Sequence, residues 1–275
     1  MTSLRPARRF DWTNLGQRAL SATVLAPLAI VAVLVGGWLL LVVLSAAAAV
    51  LATEWAVMSA SGSKVRVAGA VTASVLIALF VAYFHHYALA WGLAAAAAVV
   101  CAIVARGAAE RPADAAFGAV YIGAPCIALS WLRDAPQGLS WTLLLFAVTW
   151  AADIAAFAVG NLVKGPKLWP RFSPNKTWSG FAGGLVAAMI ASVVLALALH
   201  IRLSIGAAAL MGLVGGLATM GGDLLESMLK RRFGVKDSGD LIPGHGGLLD
   251  RVDGLMFAIL AVAVARLVHL AGWAT

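Results

Sequence analysis

The stretch LSATVLAPLAIVAVLVGGWLLLVVLSAAAAVLATEWAVMSA, residues Leu20 to Ala60, decides the class of fold. The apolar core of a signal peptide has about 7–15 residues, so this stretch is too long to be one. It has the length of two membrane-spanning helices of about 20 residues each, separated near Gly36 to Trp38. The whole chain of 275 residues is 62% hydrophobic and 12% charged, against roughly 25% charged residues in a soluble domain. We therefore predict an all-α polytopic membrane protein.

Apolar runs of spanning length predict nine transmembrane helices. They lie at residues 20–37, 38–58, 67–84, 88–105, 117–132, 139–160, 178–200, 204–226 and 254–272. If the N-terminus is cytoplasmic, 17 of the 20 Lys and Arg residues fall on the cytoplasmic side. This asymmetry follows the positive-inside rule and predicts a protein of the inner (cytoplasmic) cell membrane. Of the remaining cations, Arg133 and Arg202 lie outside, and Arg266 is expected to snorkel outward from the last span.

The net charge of +8 is unevenly placed. Topology explains much of it, but not why cations concentrate in two loops, 161–177 and 227–253, among turn residues and carboxylates. We attribute these cations to acidic substrates and predict no nucleic-acid partner. The chain is accordingly divided into N-terminal transmembrane helices, 1–135, and a C-terminal transmembrane catalytic region, 136–275, with its site on the cytoplasmic face.

Three polar groups interrupt predicted spans or their inner ends, and two of them are described first. Asp153 interrupts the apolar run TWAADIAAFAVGN, and a carboxylate in a membrane helix is costly and commonly functional; pairing with a basic residue is the alternative. Asp223 precedes Glu226 by three residues, which places both on one helical face. Ser227 and Lys230 continue a similar face. A helix end entering the interface would explain the cations, but not Asp223.

The block KRRFGVKDSGDLIPGHGGLLDRVDG, Lys230 to Gly254, combines cations, carboxylates and glycine turns. The turns flank His245, and glycine allows backbone N–H groups to approach phosphate oxygens closely. Asp250 and Asp253 are three residues apart, so both lie on one face at the start of the last helix. Such oxygen ligands suit Mg²⁺. N-capping is the alternative for the two aspartates, and an ordinary turn residue is the alternative for His245.

The loop 161–177 has similar chemistry. Lys176 and the hydroxyls of Ser173 and Thr177 lie where a helix begins, and helix N-termini bind anions. The alternative, compatible with the first, is an interfacial loop that Trp169 and Trp178 anchor at the headgroup level.

The run SMLKRRFGVKDSGDLIPGHGGLLDRVD, Ser227 to Asp253, resembles the signature of the phosphatidate cytidylyltransferases, the CDP-diacylglycerol synthases. SPNKTWSGFAGG (Ser173 to Gly184) and TEWAVM (Thr53 to Met58) resemble two further segments of that family. The resemblance implies that CTP and phosphatidate react to CDP-diacylglycerol and pyrophosphate at a lipid bilayer. It also implies a requirement for Mg²⁺, with a second metal or a monovalent cation left open, and makes a homodimer plausible.

The resemblance and the charge pattern together suggest roles. The predicted catalytic residues are Asp223, Lys230, Arg231, Lys236, Asp237, His245, Asp250, Arg251 and Asp253. The predicted substrate-binding residues are Ser173, Lys176, Thr177, Ser227, Gly244, Gly246 and Gly247. The predicted metal ligands are Asp223, Asp250, Asp253 and Asp153. The cations would bind phosphates and the glycine turn would lie against the nucleotide, whereas His245 would either bind phosphate or donate a proton.

Three alternatives stay open at this point. A related enzyme would use CTP with another acceptor, such as an ether lipid or a polyprenol-type alcohol. A transporter would use Asp153, Asp223 and Glu226 as a cation path, but the charges gather at one face. A non-catalytic scaffold would bind anionic lipids through the basic loops, without a reason for the carboxylates, glycines and histidine.

Overall fold

The computed structural model describes residues 27–106, 111–239 and 246–272. Residues 27–35 are helical and are called α1. The helices that follow are α2 (Gly37–Ser59), α3 (Lys64–Tyr83), α4 (Tyr87–Ala105), α5 (Pro112–Asp134), α6 (Gly138–Leu162), α7 (Trp178–Ala198), α8 (Ile205–Arg232) and α9 (Leu249–Leu270). A hairpin of two strands, β1 (Lys167–Trp169) and β2 (Ser173–Thr177), lies between α6 and α7.

The helices α2 to α9 are each long and apolar enough to cross a membrane. This confirms the predicted all-α polytopic membrane fold. The first predicted span, 20–37, is helical over residues 27–35, and its beginning lies outside the described residues. Each helix from α2 to α8 packs against the next one, and spans that follow one another across a membrane alternate in direction, so the bundle has two ends. We call the end where α2, α4, α6 and α8 finish the carboxylate end, and the other the opposite end.

Two helix boundaries at the carboxylate end differ from the prediction. α8 runs to Arg232 instead of ending at residue 226, and α9 begins at Leu249 instead of residue 254. A span predicted from hydropathy ends where the apolar run meets charged residues. The helix itself continues, because its backbone hydrogen bonds do not depend on the polarity of the side chains. Cations at the end of α8 and a carboxylate at the start of α9 also complement the helix dipoles. Lys230, Asp250 and Asp253 are therefore held on helices and not in a loop.

The hairpin replaces what the sequence suggested was an irregular loop. β1 and β2 pair antiparallel, with Lys167 opposite Thr177, Trp169 opposite Ser173, and an irregularity between the two pairs. The hairpin leads into α7, where the Thr177 hydroxyl accepts the Gly180 N–H at 3.2 Å as an N-cap. The predicted helix start is confirmed, and the hairpin fixes the position of Lys176.

α5 lies at the centre of the bundle and packs against α2, α3, α4, α6 and α9. Both free cysteines, Cys101 and Cys126, are buried among apolar side chains and serve as packing residues. The largest core cluster joins Trp55 of α2 to Leu249 of α9. Residues from both sides of position 135 thus pack in one core. The division of the chain at residue 135 stays a prediction about where the catalytic region lies.

Glycines set the distance between α8 and α9 beside the predicted site. A Cβ atom at Gly222 would lie 2.6 Å from the Asp253 carbonyl oxygen, and one at Gly254 would lie 2.7 Å from the Thr219 carbonyl oxygen. Small residues let membrane helices approach closely. The close approach places the first turns of α9 directly against the last turns of α8.

Candidate active site

Two lysine–carboxylate pairs lie at the carboxylate end. Lys230 near the end of α8 forms an ion pair with Asp250 in the first turn of α9. Lys176 on β2 forms an ion pair with Asp223 of α8. Lys230 and Asp250 are largely buried, with 13% and 10% of their side chains exposed, whereas Lys176 and Asp223 are more open, at 29% and 38%. The structure thus brings together residues of both loops that the sequence singled out.

Asp250 is fully engaged by its neighbours. One of its oxygens, Oδ1, meets the Lys230 ammonium group. The other, Oδ2, accepts the Ser238 N–H at 2.9 Å, the Ser238 hydroxyl at 2.8 Å and the Gly247 N–H at 3.0 Å. Asp250 therefore holds Ser238, which follows α8, and Gly247 against the start of α9. The Gly247 N–H is used inside this network.

Glu226 is the least satisfied carboxylate of the site. Its side chain is 1% exposed, and neither oxygen has a hydrogen-bond partner among the residues that the structure describes. The Lys230 ammonium group lies 3.6 Å from Oε1, and the Asp253 carboxyl group lies beside it. A buried charge without full compensation is costly, which is typical of a site that binds a charged ligand.

Asp153 of α6 completes a group of carboxylates. It interacts electrostatically with Asp253, Asp223 and Lys176. Within the three described ranges, no group of three or more His, Cys, Asp and Glu side chains is close enough to hold a metal ion as it stands. The carboxylates predicted to bind metal thus share one end of the bundle without forming a closed cage.

The other predicted site residues surround this group. Ser173 begins β2 and Ser227 lies on α8, both half-buried; Lys236 and Asp237 are exposed after α8, and Arg251 is exposed in the first turn of α9. Arg231 donates to the Val235 carbonyl at 3.3 Å. Gly246 has a positive φ of 80°, as a turn glycine can adopt. His245 and Gly244 lie outside the described residues.

Glu54 was missing from the predicted site residues. It lies on α2, is 4% exposed, and accepts the N–H groups of Leu248 and Leu249, each at 2.7 Å. Glu226 was recognised as sharing a face with Asp223 but was likewise not assigned to the site. For Glu54, the available signal was a carboxylate within an otherwise apolar span, in the segment TEWAVM.

Comparisons with known proteins identify the family of the chain. The sequence profile of the cytidylyltransferase family matches residues 16–269. The chain belongs to the cytidylyltransferase family. This confirms the family suggested by the run from Ser227 to Asp253.

Curated relatives carry a more specific name. The chain is similar to the phosphatidate cytidylyltransferase of Brucella suis biovar 1, with 48% identity over 158 residues, which cover 57% of this chain and 56% of that protein. It is similar to the phosphatidate cytidylyltransferase of Staphylococcus saprophyticus, with 40% identity over 147 residues, covering 53% and 56% of the two chains. The chain spans about half the length of the curated relatives it matches.

Proposed function

We propose that this chain transfers the cytidylyl group of CTP to phosphatidate, giving CDP-diacylglycerol and pyrophosphate. The proposal rests mainly on the gathering of Lys176, Lys230 and the carboxylates at one end of a membrane bundle. The family and the printed name of the relatives support the same reaction.

The location of the site suits one lipid and one soluble substrate. The carboxylate end lies where spanning helices leave the apolar layer, so a lipid phosphate in the headgroup region and a nucleotide from the aqueous side would meet there. We propose that this end faces the cytoplasm of an inner-membrane protein, because 17 of the 20 Lys and Arg residues fall on that side in the predicted topology. A homodimer stays a prediction.

The reaction needs positioning and charge neutralisation more than covalent help from the protein. A phosphate oxygen of phosphatidate forms a bond to the α-phosphorus of CTP, while the bond from that phosphorus to the oxygen bridging to the β-phosphate breaks. Pyrophosphate leaves with the electron pair. Lys176 and Lys230 would stabilise negative charge on the phosphates, at positions where each already meets a carboxylate.

The donor atoms at the site fit Mg²⁺. Carboxylate oxygens are its preferred protein ligands, and both Glu226 oxygens lack hydrogen-bond donors among the described residues. Asp223, Asp253 and Asp153 would hold the ion, with Glu226 beside them. Asp250 has less free capacity, because four donors already occupy its two oxygens. Bound Mg²⁺ would neutralise phosphate charge and orient the triphosphate. A second metal or a monovalent cation stays open.

The test is pyrophosphate release by the purified chain in mixed micelles of detergent and phosphatidate. Release is expected only when CTP, phosphatidate and Mg²⁺ are present together. Diacylglycerol in place of phosphatidate removes the phosphate nucleophile and leaves a hydroxyl group, and ATP in place of CTP tests the base. An ether-linked phosphatidate analogue and a polyprenol tested in parallel identify the acceptor. Folded protein that releases no pyrophosphate with any acceptor would contradict the proposal, and cation flux in liposomes would then test the transporter alternative.

A further inference from the structure

We propose that Glu54 is a positioning residue for the reaction: from α2, it holds the start of α9 and the adjoining Gly247 in the geometry that binds CTP. The inference rests on the proposed function. It assigns a role at the site to a side chain of the N-terminal half.

Glu54 supplies the N-terminal cap that α9 lacks. The first N–H groups of a helix have no partner within the helix, and α9 has no capping side chain of its own. Glu54 Oε1 accepts the Leu248 N–H and Oε2 accepts the Leu249 N–H, each at 2.7 Å. A carboxylate at the positive end of a helix dipole makes short, charge-assisted bonds of this kind.

Burying Glu54 costs more free energy than a local capping residue would. A Ser, Thr, Asn or Asp residue just before the helix would cap it locally. Instead the chain places a carboxylate that is 4% exposed on a different membrane helix, and such carboxylates are costly in a membrane. Glu54 forms no ion pair with any described residue. The arrangement adds what a local cap would not, namely a fixed position of α9 relative to α2.

The same side chain is packed against the network of Asp250. The Ser238 hydroxyl lies 2.8 Å from Asp250 Oδ2 and 3.4 Å from Glu54 Oε2, so the two carboxylates flank one hydroxyl. Position 247, beside these side chains, has no room for a residue larger than glycine. A Cβ atom there would lie 2.0 Å from Ser238 Oγ and 2.7 Å from Glu54 Oε2. Moving Glu54 would therefore move Gly247 and Asp250, and through Asp250 its partner Lys230.

The experiment compares Glu54→Gln and Glu54→Asp with Thr53→Ala. Gln has the same shape, but its side-chain NH2 group is a donor. It would face one of the two backbone N–H groups, which needs an acceptor. Thr53 is the neighbouring residue and is exposed, with its hydroxyl bonded to the Ala49 carbonyl of its own helix. Steady-state kinetics are measured for each substrate separately, together with hydrogen exchange of the peptide that covers residues 246–252.

We expect Glu54→Gln to lower kcat/KM for CTP at least tenfold and to leave KM for phosphatidate within twofold of the wild type. Exchange of the Leu248 and Leu249 amides should accelerate about tenfold, with α3 and α4 unchanged. Glu54→Asp keeps the charge and should recover part of the loss, and Thr53→Ala should match the wild type. If Glu54→Gln does not fold, the severalfold loss expected for Glu54→Asp tests the inference.

Two results would overturn the inference. In the first, the wild type is active and Glu54→Gln stays within twofold of it for both substrates. In the second, Glu54→Gln lowers the melting temperature while CTP kinetics per folded molecule and amide exchange at residues 246–252 are unchanged, which is a purely structural role. A wild type without activity would instead contradict the proposed function, and the exchange measurement would still test whether Glu54 holds the start of α9.

Discussion

The two ends of the helix bundle differ in the partners of their charged side chains. At the carboxylate end, charged side chains face one another: Lys230 lies between Asp250 and Glu226, and Lys176 meets Asp223. At the opposite end, arginines meet backbone carbonyls. Arg133 donates to the carbonyls of Val33 at 2.6 Å and Leu34 at 3.2 Å, and thereby caps the last turn of α1.

Arg266 shows the same behaviour and corrects one expectation. It does not extend outward from the last span, because it is 3% exposed. Its guanidinium group lies 4.6 Å from the centre of the Trp141 ring and donates to the Pro136 carbonyl at 2.6 Å. A partner in the connection between α5 and α6 holds the side chain inside the protein.

The difference separates structural polar groups from functional ones. Arginines that satisfy carbonyls at helix ends hold the fold together, and no ligand is needed to explain them. Carboxylates that face each other, with the Glu226 oxygens lacking donors among the described residues, cost stability that a bound cation would recover. Changes at the carboxylate end should therefore affect turnover, and changes at the opposite end should affect only stability.

The largest effect is expected from Lys230→Met. The substitution leaves Glu226 and Asp250 without their shared cation and removes a group that would stabilise phosphate charge. Turnover should fall by at least about 100-fold, the scale of losing one transition-state donor. Pyrophosphate release measures it, with Lys64→Met at the exposed start of α3 as the matched control at the same end. Turnover within threefold of the wild type would show that Lys230 is structural.

Asp223→Asn and Asp250→Asn distinguish two kinds of carboxylate within the site. Asp223 has Lys176 as its ion-pair partner, whereas Asp250 is surrounded by donors. Asp223→Asn should raise the Mg²⁺ concentration for half-maximal turnover roughly tenfold, equivalent to about 1.4 kcal/mol. Asp250→Asn should lower turnover at every Mg²⁺ concentration. Asp134→Asn at the opposite end is the control, and near wild-type turnover of Asp223→Asn at limiting Mg²⁺ would refute the assignment of Asp223 to the metal.

Arg266→Met should affect stability alone. It removes a hydrogen bond to a carbonyl and a cation–π contact, together worth about 2 kcal/mol. Unfolding in a graded detergent mixture should show this loss, while turnover per folded molecule stays within twofold of the wild type. A tenfold loss of turnover in folded protein would break the contrast between the two ends.

The smallest effect is expected from Tyr87→Phe. The Tyr87 hydroxyl donates to Asp134 at 2.5 Å on an exposed part of the opposite end, where His85 also lies 3.4 Å from the carboxylate. The loss should be about 1 kcal/mol or less of stability, with unchanged turnover. Tyr83→Phe provides the same chemical change on α3 as a control. A loss of more than about 3 kcal/mol would mean that this pair anchors α4 to α5 more strongly than its exposure indicates.

Local features of the chain were sufficient for the fold class, and they also led to the predicted site residues. Apolar runs of spanning length predict the helices, because burial in lipid depends on each segment's own composition. Charge and glycine spacing in the block from Lys230 to Gly254 predict a phosphate and metal site, whereas the ion pair between Lys230 and Asp250 was seen only in the structure. The hairpin before α7 was not predicted, because its strands are only three and five residues long.

The sequence by itself determined that the chain crosses a membrane many times and where its two charged, turn-rich segments lie, since both depend on residues close together in the chain. Only the tertiary structure decided which side chains meet. The pairing of Lys176 with Asp223, the cap that Glu54 places on α9 and the inward direction of Arg266 depend on how each helix is rotated about its axis. Each residue turns an α-helix by about 100°, and packing against neighbouring helices, at close contacts such as Gly222 against Gly254, fixes that rotation.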